Sequence, residues 1–414
     1  MRGRFDEVRA QTMRLVRPLS AEDMGAQSMT DASPAKWHLA HTAWFFETFV
    51  LERFDAAHEP IHPAFRVLFN SYYKSVGAQF PRSQRGLLTR PGLDEVLAYR
   101  RETDERVRAV LERADAGVLG ALLPIMEVGL QHEQQHQELL LTDVKHLLWC
   151  NPLRPAYEGR AHDDSAPAPE MRFVEFGGGV VEIGHTGEGF GFDNEFGRHR
   201  VFLEPFALAD RLLSNEAVIA FVEDGGYERP ELWLDKGWST VQGEGWTMPL
   251  YWRREGSAWL EFTLSGERAV DPHEPATHVS LFEADAIARW MGCRLATEFE
   301  WEHACAPMPV RGNFVEDGLL HPLVASDDPE MPIRQAYGDC WEWTGSQYRA
   351  YPGYRAPEGA LGEYNGKFMC DQFVLRGGSC ATARSHIRAS YRNFFHPAAR
   401  WQFAGVRLAK DLTG

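Results

Sequence analysis

Up to about residue 153, apolar positions recur at three- and four-residue intervals in four long runs, at 5–16, 34–53, 93–114 and 124–148. That period gathers the apolar side chains on one stripe, so the runs predict amphipathic helices separated by turn-like patches. Four helices of this length fit an up-and-down bundle, a fold that builds its sites in the core from facing helices. Ser33-Pro34 predicts a helix start, with Ser33 as the N-cap and Pro34 at the first helical position. A Pro- and Ala-rich polar patch at 161–170 reads as a linker.

Beyond Met171 the pattern changes. Short β-prone runs at 173–176, 180–183, 199–203, 257–262, 373–376 and 404–408 alternate with Gly- and Trp-rich stretches, and helical periodicity returns only at 214–223 and 281–291. This predicts an irregular α+β domain with long loops, and long loops in a compact domain usually carry function. The expected division is a helical bundle over 1–155, a linker over 156–170 and an α+β domain over 171–412. There is no internal repeat and no low-complexity tract.

Composition adds mainly exclusions. A chain of 414 residues with 44% hydrophobic and 25% charged residues is an ordinary globular protein too long for one core. The formal charge of -16 argues against phosphate-driven nucleic-acid binding. No apolar stretch approaches the roughly 20 residues that span a bilayer, and the segment 1–17 alternates charged and apolar residues instead of forming a signal-peptide core. A cytoplasmic protein is expected, with small-molecule partners and neither membrane nor nucleic acid among them. Cys150, Cys293, Cys305, Cys340, Cys370 and Cys380 form no Cys-x-x-Cys pair, so free thiols are expected, most of them buried.

Within the fourth run, His132 and His136 stand four residues apart in Gln-His-Glu-Gln-Gln-His-Gln-Glu. At about 100° per residue they project from nearly one face, close enough to share an ion. Glu138 points roughly the other way and is assigned to helix packing. A polar surface stripe would give the same spacing, but Leu130, Leu139, Leu140 and Leu141 mark a packed helix. A third ligand must come from elsewhere, and His38 or His41 in the aromatic second run could face the pair. Three imidazoles would leave open positions on a divalent ion, which suits catalysis rather than a structural site. Spacing does not choose between the two histidines, nor between iron and zinc. Between the helices, Asn70-Ser71-Tyr72-Tyr73 places two phenols that pack or, near a redox metal, deliver protons. Arg82 and Arg85 are either solvated or available to hold a substrate carboxylate.

These residues also carry a resemblance. The segment 37–42, with His132, His136 and Glu138, resembles the DinB-like helical bundle. The second half resembles the formylglycine-generating-enzyme fold, a C-type-lectin-like architecture, through Gly177-Gly178-Gly179, the run 294–302, Gly338-Asp339-Cys340-Trp341-Glu342-Trp343-Thr344, Arg376-Gly377-Gly378-Ser379 and Gly405-Val406-Arg407-Leu408. Together and in this order they cover nearly the whole chain and look like the EgtB-type sulfoxide synthases of ergothioneine biosynthesis. The resemblance implies a non-haem Fe(II) enzyme that uses O2 to join cysteine to Nα-trimethylhistidine (hercynine) as a sulfoxide. It implies His41, His132 and His136 as iron ligands, Gln135 as a contact to the hercynine imidazole, and Tyr72 and Tyr73 as proton donors. The run 390–395 resembles the loop that closes over hercynine, with Asn393 for its carboxylate and Phe394 and Phe395 for its quaternary ammonium, which aromatic faces attract. Arg82 and Arg85 are the expected contacts to cysteine.

Rival readings differ in class. A DinB-type metal-dependent thiol transferase would not need the second domain. A copper-dependent formylglycine-generating oxidase needs a second cysteine five residues after Cys380, where this chain has Ser385. A plain lectin-like binding module leaves the histidines unexplained, and an ovothiol-type enzyme, which takes unmethylated histidine, is disfavoured by Phe394. A selenoneine synthase, coupling a selenium donor to hercynine, differs from the sulfur enzyme by little in pocket size or shape.

Overall fold

The computed structural model describes residues 1–158, 167–328 and 330–412. Two compact units result: Met1–Tyr157 with the segment Ala356–Tyr364, and Glu158–Arg355 with Asn365–Gly414. Most of the expected linker lies outside the described residues.

The first unit holds four long helices, α1 (Arg2–Val16), α2 (Ala35–Phe46), α3 (Leu93–Arg113) and α4 (Ala116–Cys150). They are the four apolar runs. Two ends differ from expectation. Helix α4 starts at Ala116, capped by the Asp115 side chain, which accepts from the Val118 N–H at 2.9 Å, and Pro124 lies inside the helix instead of opening it. Helix α2 has Pro34 at its N-cap, with the Pro34 carbonyl accepting from the Trp37 N–H at 2.8 Å. Ser33 does not cap. Its N–H donates to Asp143 Oδ2 at 2.8 Å and its hydroxyl accepts from Arg85 at 2.8 Å.

Phe5, Phe46, Val50, Leu51, Val107, Leu122, Met126 and Leu130 form the apolar core of this unit. Helices α2 and α4 approach closely at Gly129, where a Cβ would come within 2.7 Å of the Phe46 ring. Beside that core lies a buried charge network. Glu133 of α4 accepts from Arg9 of α1 at 2.9 Å, from Thr12 at 2.6 Å and from Arg100 of α3, while Arg9 also pairs with Asp104 at 2.6 Å. Arg100 reaches Thr42 of α2 at 2.8 Å, so one carboxylate and two guanidiniums link all four helices. Burial alone would raise the Glu133 carboxyl, but Arg100 and Arg9 beside it hold it down to about 2.

The second unit is built of small sheets. One has the strands Phe173–Phe176, Phe206–Ala209, Leu408–Asp411 and Arg294–Leu295, antiparallel in that order. Another runs Asn393–Phe395, Phe373–Arg376, Trp341–Gln347 and Ala404–Gly405, the last pair parallel. A two-stranded hairpin and a three-stranded meander complete the described strands. The run 404–408, expected as one strand, is two. Ala404–Gly405 and Leu408–Asp411 join different sheets, and between them buried Arg407 turns onto Glu342 at 2.7 and 2.8 Å. Two helices escaped the periodicity, Asp235–Glu244 and Glu298–Cys305. The second opens on a capping box of Thr297 and Glu300.

Candidate metal centre

Helix spacing builds the site from two sides. On α2, Trp37, His41 and Trp44 recur at four and three residues and so share one face. The His41 ring stacks on both indoles, with centroids 4.6 Å from Trp37 and 5.4 Å from Trp44. On α4, His132 and His136 lie one turn apart with centroids 4.6 Å apart. One nitrogen from each of His41, His132 and His136 falls within 4.8 Å of the others. His41, and not His38, completes the cluster.

The nitrogens that converge can be named. His41 Nδ1 donates to the Phe69 carbonyl at 2.5 Å, leaving Nε2 3.2 Å from His132 Nε2. His136 Nδ1 faces His38 Nδ1 at 2.8 Å, which leaves its Nε2 for the cluster. A metal–nitrogen bond of about 2.1 Å puts neighbouring ligand nitrogens roughly 3.0–3.4 Å apart, so the His41–His132 separation fits a shared ion. Burial, reinforced by the neighbouring imidazoles, holds His41 and His136 well below the usual histidine range, and burial lowers His132 to about 3. All three are therefore neutral at physiological pH, the state in which an imidazole ligates. Among the described residues no carboxylate belongs to the group, which fits a borderline divalent ion such as Fe(II) or Zn(II) better than Mg(II) or Ca(II).

The other expected residues divide. Tyr73 is fully buried against Trp44 and Phe49 and stacks on Tyr72 with centroids 4.7 Å apart. Burial, with Tyr72 beside it, keeps the Tyr73 phenol well above its usual range. Arg85 is buried with its guanidinium 3.3 Å above the Trp37 ring, and burial followed by the Arg82 charge lowers it to about 8. Arg82 is exposed. In the second unit, Phe394 stacks on Tyr348 at 4.1 Å, Phe395 meets Trp401 edge-on, and the Asn393 side chain accepts from the Phe394 N–H.

One residue was missed. Tyr364 donates its hydroxyl proton to Gln135 Oε1, and its ring lies 5.7 Å from His132 and 6.3 Å from Tyr72. Its neighbour Glu363 secures the segment Ala356–Tyr364 to the tyrosine loop by accepting from the Lys74 N–H at 2.9 Å and the Ser75 N–H at 2.8 Å. No local signal marks Tyr364. It follows the histidines by more than 200 residues in a loop without periodicity.

The comparisons with known proteins agree with this architecture. The DinB superfamily model matches residues 4–140, and the model of the sulfatase-modifying factor enzyme 1-like domain matches residues 159–412. The chain is 32% identical to the hercynine oxygenase of Mycolicibacterium thermoresistibile across 98% of this chain and 93% of that protein. It belongs to the hercynine oxygenase family. The Mycobacterium tuberculosis hercynine oxygenase is 31% identical over 98% of this chain and 97% of its own length. A formylglycine-generating enzyme of Streptomyces coelicolor is 31% identical, over 62% of this chain and 95% of its own. As a member of the hercynine oxygenase family the protein is an oxidoreductase, with a DinB-like first half and a formylglycine-generating-enzyme-like second half. Among the described residues no helix is long and apolar enough to cross a membrane.

Proposed function

We propose that this protein uses O2 to join the sulfur of cysteine to the imidazole ring of hercynine, giving hercynylcysteine sulfoxide in ergothioneine biosynthesis. The carrying observation is the convergence of three neutral imidazoles, without a carboxylate, in a member of the hercynine oxygenase family. The balance closes: a ring C–H and a thiol S–H are lost, one oxygen atom ends on sulfur and the other leaves as water. His41, His132 and His136 would hold Fe(II), which when bound supplies a redox-active Lewis acid with open positions.

The remaining groups bind and move protons. Gln135, whose carbonyl oxygen accepts from Tyr364, is the proposed contact to the hercynine imidazole. Tyr72 and Tyr73 are the proposed proton donors, and burial keeps Tyr73 protonated until it is needed. Arg85 Nε is buried without a partner, a donor left for the cysteine carboxylate, with Arg82 as a second contact. Asn393, Phe394 and Phe395 are the proposed contacts to the hercynine carboxylate and trimethylammonium.

The test is anaerobic Fe(II) reconstitution followed by oxygen uptake in the presence of hercynine and a chalcogen donor. Uptake should require hercynine and proceed with cysteine. Uptake with a selenosugar and none with cysteine would assign a selenium donor, and no hercynine dependence with either would refute the reading.

A further inference from the structure

The three candidate ligands differ in what lies behind them. His41 Nδ1 meets a backbone carbonyl, and His132 Nδ1 is buried without a partner. Behind His136 stands a second imidazole and then a carboxylate. His38 Nδ1 lies 2.8 Å from His136 Nδ1, and His38 Nε2 lies 3.1 Å from Asp143 Oδ2. His38 is 3% exposed and Asp143 5% exposed, so water does not replace either contact. The arrangement is set by the helices: His38 sits one turn before His41 on α2, and Asp143 two turns after His136 on α4.

Proton accounting fixes the direction of this chain. Asp143 Oδ2, which already accepts from the Ser33 N–H, lies in place to accept a hydrogen from His38 Nε2 as well. With its one ring hydrogen on Nε2, His38 offers a lone pair at Nδ1. His136 must then donate from its own Nδ1, and its lone pair sits on Nε2, toward the cluster. The opposite direction would place a hydrogen on His136 Nε2 and spoil it as a ligand.

We propose that His38 and Asp143 are positioning residues that lock His136 in the Nδ1–H tautomer and so set the affinity of the centre for its metal. A hydrogen-bonded partner of this kind fixes ring orientation and raises ligand basicity, and removing one typically costs about 10–100-fold in metal affinity. The inference rests on the reading of His41, His132 and His136 as metal ligands.

The experiment measures Fe(II) affinity anaerobically, by competition with a chromophoric chelator, for wild type, His38→Ala, His38→Gln and Asp143→Asn. Histidine 15N spectra of the metal-free proteins report the tautomer, and thermal melting reports the fold. His38→Ala and Asp143→Asn should bind Fe(II) about 10–100-fold more weakly and lose the single His136 tautomer. His38→Gln should restore most of the affinity, because its amide accepts from His136 and donates to Asp143 as the imidazole does. Wild-type affinity in both damaging variants would overturn the proposal and leave the metal reading intact. Weakened affinity with an unchanged His136 tautomer would also overturn it, as a structural effect alone. A wild type that binds no Fe(II) would overturn the metal reading and this proposal with it.

Discussion

His132 and His136 were legible as a neighbouring pair because a helix converts a four-residue spacing into a shared face whatever the surroundings. The third member of the cluster was not, since His38 and His41 share the helix and only packing shows that one nitrogen converges while the other backs His136. His132→Ala should lose most bound Fe(II), read by metal analysis, while the helical circular dichroism stays near wild type. Unchanged iron content would sink the ligand assignment. Tyr364 lay beyond any sequence argument, because the contact that matters links it to Gln135 across the chain. Tyr364→Phe removes the hydrogen bond that Gln135 Oε1 accepts. A lost hydrogen bond of about 1 kcal/mol corresponds to a roughly three- to tenfold rise in KM for hercynine, with the KM for cysteine changed less. Equal effects on both substrates would remove Gln135 from the hercynine contact.

At the scale of the element, the apolar period located all four bundle helices, and turn chemistry misplaced their ends. Pro34 was read as the first helical residue and the fourth run as starting at 124, whereas the backbone uses Pro34 as a cap and carries Pro124 through α4. In the second unit the strand run at 404–408 failed because period-two alternation does not register the buried Arg407 that divides it. The Glu133 network, which joins α1, α2, α3 and α4, was invisible because charged residues on an amphipathic helix read as its solvent face. Glu133→Gln leaves Arg100 buried without its ion-pair partner and Arg9 with Asp104 alone, and should destabilise the bundle by about 3–5 kcal/mol at neutral pH in urea titrations. The sign with pH follows from the depressed carboxyl. Stability from ionised Glu133 is fully present above its unfolded value of 4.5 and is lost as pH falls toward about 2. The gap between wild type and Glu133→Gln should therefore narrow over that window, and a gap independent of pH would contradict the account.

For the whole molecule, the change of character near residue 171 was visible as a switch from helical periodicity to short strands, and two family models cover 4–140 and 159–412. The return of the segment Ala356–Tyr364 to the first unit was not visible, since nothing in its composition marks it as part of a helical bundle. The central claim is chemical: one molecule of O2 supplies the sulfoxide oxygen while cysteine and hercynine are joined. The most direct measurement is mass spectrometry of the product formed by the Fe(II)-loaded protein from hercynine and cysteine under isotopically labelled dioxygen. The account predicts a single cysteine–hercynine adduct carrying one labelled oxygen atom. An adduct without label, or oxidised cysteine with hercynine left unchanged, would contradict it.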